Sequence, residues 1–194
     1  MSSDNDIIKY KSKNLISQIL IRSFQKSIVD VLLELDYQSL HEVGCGQGYN
    51  MKLLTSIKPV DCSGSDISEE ALLLAKKNNP EVKFLRTSIY NLPFADNNFD
   101  LVVASEVLEH LDNPQNGLLE IKRITKKYCL LTVPNEPIWR ILNILRGKYL
   151  KDYGNPSTHV NHWSKKTFIN LVNQYFKIKK VKISLPWMIV LACK

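Results

Sequence analysis

The sequence predicts a doubly wound α/β fold: a mostly parallel sheet with helices packed on both faces. Three observations carry the prediction. Short apolar runs alternate with helical patterns from about residue 39 to 134, a glycine-rich loop follows the first run directly, and two apolar runs meeting near Pro186 close the chain. Strand–helix alternation needs crossover connections, and crossovers leave neighbouring strands parallel. The closing pair has no helix between its members and reads as an antiparallel hairpin.

In chain order, an amphipathic helix comes first, from about Leu15 to Leu35. There Leu15, Ile19, Phe24, Ile28, Val31 and Leu35 recur near helical spacing. "SLHEV" (39–43) reads as a strand, residues 50–57 as a helix, and "VDCSGSD" (60–66) as the second strand. Ser68 is placed to cap a helix over "EEALLLAKK". Strands are expected at 82–87, 99–105 and 128–134, with a helix at about 114–125 between the last two. From Pro134 to Asn161 the pattern loosens around Pro137, Gly147, Gly154 and Pro156. A helix at 164–174 and the strands "FKIKKVKI" and "WMIVLAC" complete the chain. This divides a single domain into an N-terminal helical segment (1–36), a core (37–134), a small cap insertion (135–163) and a C-terminal helix and hairpin (164–194).

Hydrophobic residues make up 44% of the 194, enough for a sizeable core. No run approaches the roughly 18–20 apolar residues of a membrane span. The polar start "MSSDNDIIKYKSKN" lacks the apolar centre of a signal peptide. Cys45, Cys62, Cys129 and Cys193 are far apart, which argues against a zinc ribbon or disulfide framework and for a reducing cytoplasm. The net charge of +7 is unevenly spread: residues 1–121 hold 11 Lys and Arg against 17 Asp and Glu, while residues 122–194 hold 15 against 2. That basic excess suggests an anionic partner (nucleic acid, a charged small molecule or a membrane surface) or simply a solvated lysine-rich face.

The first strand runs into "HEVGCGQGYN", where Gly44, Gly46 and Gly48 allow positive φ and close approach to a ligand. The spacing is GxGxG, unlike the GxGxxG of dinucleotide sites, and the GK[ST] of a phosphate-binding P-loop is absent. Glu42, an acid just before the loop, suits a cationic ligand group. Asp66, at the end of the second strand, suits ribose hydroxyls. A ligand with an amino acid end and a nucleoside end satisfies both.

With the further motif "NLPFADNNFDLVVASEVLEHL" (91–111), the sequence resembles the class I S-adenosylmethionine-dependent methyltransferases, in the branch with an LPF…FDLV…EHL pattern. The resemblance covers about residues 38–134 closely. It implies a Rossmann-like sheet of seven strands, the last antiparallel, and S-adenosylmethionine as cofactor. It further implies that Glu42 and the backbone of Gly44, Cys45, Gly46 and Gly48 hold the methionine end, that Asp66 holds the ribose, and that Ile67 packs on the adenine. Ser88 stands where the family usually has an acid for the adenine amino group, and a serine holds that bond without charge assistance. The Ile89 N–H remains available to the ring.

Glu106 follows the fourth strand at its carboxyl edge, beside the expected methyl group. In "SEVLEH" (105–110) helical geometry would turn Glu106, Glu109 and His110 to one face. Downstream, "THVNHWSKKTF" (158–168) supplies His159 and His162. The ExxEH…H pattern is similar to that of small-RNA 2′-O-methyltransferases and ubiquinone-pathway O-methyltransferases, which implies a divalent metal on Glu106, Glu109, His110 and His159. Imidazole ligands suit Mn, Fe, Co or Zn, and Mg by abundance. The alternatives are a metal-free base at His110 or His159, or a structural role. His41 reads as a satisfied sheet residue, Cys45 as a small packing residue. Trp139, Tyr149 and Tyr153 read as acceptor-pocket or cap-packing residues. The expected activity is methyl transfer, at oxygen, to a small and anionic acceptor. RNA as acceptor and a non-catalytic cofactor-binding subunit are the competing readings.

Overall fold

The computed structural model describes residues 14–145, 147, 149–156 and 158–194. The polar stretch 1–13, read above for targeting signals, lies outside them. The first helix, α1, spans Leu15–Leu32. Asn14 caps it by accepting from the N–H groups of Ile16 and Ser17. It ends three residues before Leu35, which is nonetheless buried.

The strands are β1 (Ser39–Val43), β2 (Asp61–Asp66), β3 (Lys83–Arg86), β4 (Phe99–Ser105), β5 (Thr125–Pro134), β6 (Lys177–Ser184) and β7 (Trp187–Cys193). They form one sheet in the order β3-β2-β1-β4-β5-β7-β6. Pairs from β3 to β5 are parallel, and β7 runs antiparallel between β5 and β6. The seven strands and the reversed last one match the expectation. Strand order reverses between β1 and β4, where the two halves of a doubly wound sheet leave a crevice at the strands' carboxyl ends.

Between the strands lie α2 (Tyr49–Ile57), α3 (Glu69–Asn78), α4 (Pro114–Ile124) and, beyond the cap, α6 (Lys165–Val172). Ser68 caps α3 as expected, accepting from Ala71 N, and Ser164 caps α6 through Thr167 N. Asn113 caps α4 with Pro114 in its first turn, where a missing N–H costs nothing. The central strands are buried on both faces, as parallel strands must be. Leu101, Val103, Leu130, Ile189 and Leu191 meet Phe24, Ile28 and Met51 of α1 and α2 on one face. Val102, Ala104, Leu131, Val190 and Ala192 meet Leu118, Ile121 and Phe168 of α4 and α6 on the other.

The cap region departs from its loosened sequence pattern. Residues Ile138–Leu145 form a helix, α5, followed by a 3-10 turn at Leu150–Asp152. Its sequence, IWRILNIL, is two-faced, with Arg140 and Asn143 on one side and Ile138, Ile141, Leu142 and Leu145 on the other, but it is only eight residues long and lies between the breakers Pro137 and Gly147. The strand expected at 128–134 begins at Thr125, directly after α4. Among the described residues, no helix is long and apolar enough to cross a membrane.

Candidate active site

The loop after β1 is built by backbone bonds: Cys45 N donates to Ser65 O at 2.9 Å, and Gly48 N to Cys45 O at 2.9 Å. Gly44, Gly46 and Gly48 have φ of 69°, 51° and 76°, all left-handed. Gly44 is needed twice over, because a Cβ there would run into the Val107 side chain. Asp66 locks the loop from β2: its Oδ2 accepts from Gly46 N and its Oδ1 from Ser68 N, both at 2.8 Å. Each carboxylate oxygen can accept a second bond, so Asp66 retains capacity for a ligand.

These residues border a cavity of about 450 Å³ at the carboxyl ends of β1, β2 and β4. Gly44, Cys45, Gly46, Asp66, Ile67, Ser88, Ile89 and Glu106 of the sequence-predicted set all line it. Ile67 is 69% exposed, an apolar side chain offered to the cavity edge. Glu42 and Gly48 sit behind the wall. Glu42 is buried in β1 between Gly64 and Val103, and Gly48 starts α2. Burial and the carboxylates of Glu42 and Asp66 push the Cys45 thiol far above its ordinary pKa, so it packs and does not react. His41 is buried, with Ser63 Oγ 2.8 Å from Nδ1 and Ser65 Oγ 2.9 Å from Nε2, a satisfied sheet residue as expected.

The helical premise for "SEVLEH" does not hold. β4 ends at Ser105, Glu106 takes φ of 58°, and only Leu108–His110 make a 3-10 turn. A residue at positive φ cannot continue a right-handed helix. Glu106 therefore points elsewhere: its Oε2 accepts from Trp187 Nε1 at 2.7 Å and its Oε1 from Thr132 Oγ1 at 3.4 Å. The metal expectation that included Glu106 is corrected to the remaining three residues. Glu109, His110 and His159 bring a carboxylate oxygen and two ring nitrogens within 4.8 Å of one another. His162 is exposed and outside this group.

The trio is assembled from two segments far apart in sequence. The Glu109 carbonyl accepts from Val160 N at 2.9 Å and Asn161 N at 3.0 Å. Asn161 Nδ2 donates to Leu111 O at 2.6 Å and Leu108 O at 3.3 Å. His110 Nδ1 lies 2.8 Å from Thr158 O. A carbonyl only accepts, so Nδ1 carries a proton, and in the neutral ring the lone pair is on Nε2. A ring fixed in this way by a backbone carbonyl is the usual second contact of a metal-binding histidine. A buried carboxylate and two imidazoles fit a borderline divalent ion such as Mn²⁺, Fe²⁺, Co²⁺ or Zn²⁺.

Rings link this end of the cavity: Phe24–Trp187 at 4.8 Å, Trp187–Trp139 at 6.0 Å, Trp139–His159 at 6.0 Å and His159–His110 at 4.9 Å. Trp139 and Tyr149 line the cavity, whereas Tyr153 is 75% exposed. Trp187, Tyr90 and the α1 residues Leu20 and Ile21 also line it, and the sequence reading missed them. Trp187 carried one usable signal, since a buried indole N–H demands an acceptor.

Residues 41–132 match the family model described as a methyltransferase domain. The chain is 30% identical over 145 residues to a demethylmenaquinone methyltransferase of Paenarthrobacter aurescens (69% of this chain, 55% of that protein). It is 31% identical over 125 residues to a ubiquinone biosynthesis O-methyltransferase of Rickettsia bellii (61% and 51%). The chain thus spans about half the length of these curated relatives. Among solved structures, the magnesium protoporphyrin IX methyltransferase of Synechocystis PCC 6803 with bound S-adenosylhomocysteine superposes with a TM-score of 0.72 at 16% identity, over 98% of this chain and 92% of that one. A putative methyltransferase of Haloferax volcanii, complexed with its Trm112 activator, gives 0.73 at 15% identity, over 100% and 98%. These two share the fold. Residues 41–132 thus match a methyltransferase domain, and the strand order, glycine loop and Asp66 are consistent with the class I S-adenosylmethionine-dependent fold.

Proposed function

We propose that this chain transfers the methyl group of S-adenosylmethionine to an oxygen of a small acceptor, with a divalent metal on Glu109, His110 and His159. The observation that carries the reading is one cavity shared by the glycine loop, Asp66 and that trio. The backbone of Gly44 to Gly46 and the carboxylate of Asp66 take the two polar ends of the cofactor. Ile67 covers the adenine, and Ser88 with the Ile89 N–H meets its edge. S-adenosylmethionine supplies an electrophilic methyl group, and a divalent ion supplies a Lewis acid that lowers the pKa of an acceptor hydroxyl. The chain's own part is positioning. Holding two reactants in contact contributes up to several kcal/mol of the barrier reduction. Trp139, Tyr149 and Trp187 line the same cavity and would form walls of an acceptor site beside the trio. Without metal, Nε2 of His110 is the atom able to take the acceptor's proton.

A small acceptor is also supported by relatives named for demethylmenaquinone and for ubiquinone biosynthesis. An anionic one has less support, because part of the basic excess is spent on ion pairs: Lys180 to Glu34 at 2.8 Å, Lys182 to Asp30 at 2.9 Å and Lys127 to Asp100 at 3.6 Å. The same pairs weaken the charge argument for RNA. The test is transfer of labelled methyl from S-adenosylmethionine to fractionated cell extract, with and without chelator, for the wild type and His159→Ala. Label is expected in the small-molecule fraction, and both chelation and the substitution should reduce it at least about tenfold. Label in RNA or protein would overturn the acceptor class, and full activity after chelation would overturn the metal.

A further inference from the structure

The outer face of α5 is at odds with a water-exposed surface. Its inner face is accounted for: Asn143 is buried and donates to Gly154 O at 2.9 Å, and Trp139 faces His159. On the opposite side Ile141 is 52% and Leu145 76% exposed, with Ile144 beside them. Leu150 and Tyr153, in and after the following 3-10 turn, are exposed too. An amphipathic helix normally buries its apolar side, whereas α5 buries Asn143 and leaves Ile141 and Leu145 exposed.

This display is built into the fold. Arg140 Nε donates to Tyr153 O at 3.1 Å, holding the 3-10 turn back against α5. Gly154, at φ +86°, leaves room for the Arg140 carbonyl, which lies 2.5 Å from where its Cβ would stand. Across the cavity, α1 repeats the pattern. Ser17, Leu20 and Ile21 line the cavity, while Leu15, Ile16 and Ile19 are exposed. Two apolar helix faces therefore flank one mouth.

The charge of this segment selects the occupant. Residues 138–153 carry Arg140, Arg146, Lys148 and Lys151 against a single acid, Asp152. A short helix with an apolar outer face, in a segment whose four basic residues outnumber one acid, fits the surface of an anionic bilayer. Its aliphatic side chains enter the acyl boundary while Lys and Arg meet lipid phosphates. We propose that α5 and the following turn dock this chain on an anionic membrane surface, with the cavity mouth at the interface. An acceptor dissolved in the bilayer would then reach the cavity without crossing bulk water. The proposal rests on the exposed face of α5 and not on methyl transfer.

The test is co-sedimentation of the whole chain with vesicles of phosphatidylcholine alone or mixed with phosphatidylglycerol. Wild type should partition onto the mixed vesicles more than about tenfold better than onto the neutral ones. Ile144→Glu with Leu145→Glu should lose about tenfold or more. S-adenosylhomocysteine binding of this variant, whose changed residues do not line the cavity, should be unchanged; it reports folding and separates this proposal from the methyl-transfer reading. As a measurement without substitution, amide hydrogen exchange of the wild type should slow over residues 138–153 when mixed vesicles are added. Three results would overturn the proposal: no sedimentation of the wild type, equal sedimentation of the variant, or a concentration-dependent dimer that buries this face and binds no vesicles.

Discussion

Asp66 and Glu106 are both acids at the carboxyl end of a strand, yet their neighbours give them different work. Asp66 accepts two backbone N–H bonds and shapes the glycine loop, whereas Glu106 is drawn to the Trp187 indole on the far hairpin. The position of Asp66 at the end of β2 was legible in the sequence, while its bonds to Gly46 and Ser68 emerge only in the fold. Glu106 was misread because its partner, Trp187, is 81 residues away. His41 shows the same dependence on surroundings. Burial depresses its pKa from 6.5 to about 3, and its ring stacks on Phe99 at 4.7 Å. Between those pH values the unfolded chain takes up a proton that the folded chain refuses. The stabilisation is therefore complete above about pH 6.5 and is lost as pH falls, at about 1.4 kcal/mol per unit. From pH 7 to pH 5 the wild type should lose about 2 kcal/mol from this group, and His41→Gln should lack that component. Urea midpoints of both proteins across this range test it, and equal pH slopes would contradict it.

At the scale of elements, regular alternation told the strands and most helices apart, and the cap at Ser68 marked where α3 begins. Two elements escaped. α5 is only eight residues long and lies among the breakers Pro137 and Gly147, with its polar side turned inward, and the turn after β4 depends on one left-handed residue, Glu106, that carries no sequence mark of it. The contact between this turn and residues 158–161 is what assembles the trio, and Asn161 is its main side-chain tie. Asn161→Ala should therefore weaken divalent-ion binding by about 10–100-fold while costing about 1 kcal/mol of stability. Zn²⁺ or Mn²⁺ titration beside urea unfolding reads both. Unchanged ion affinity would show that the trio does not depend on this tie.

For the whole molecule, the lopsided charge that sequence assigned to an unknown partner is partly an internal matter. Asp30 and Glu34, at and just beyond the end of α1, lie far along the chain from the lysines of β6, and folding sets Glu34 against Lys180 and Asp30 against Lys182. Composition could not show this, because it contains no information on which edge of the sheet α1 covers. Reversing both lysines to glutamate should lower Tm by about 2–4 °C, and reversing Asp30 and Glu34 to lysine in the same protein should restore it. Failure of the fourfold variant to recover would mean that the pairs do not join helix to hairpin.

The central claim is that the glycine loop and Asp66 hold the two ends of one nucleoside cofactor. Its most direct test is calorimetric titration of S-adenosylhomocysteine into the wild type and Asp66→Ala. The wild type should bind at one site per chain, and the variant about 10–100-fold more weakly, as loss of charge-assisted bonds to a ligand and to the loop requires. Absence of binding by the folded wild type, or equal affinity in the two proteins, would contradict it.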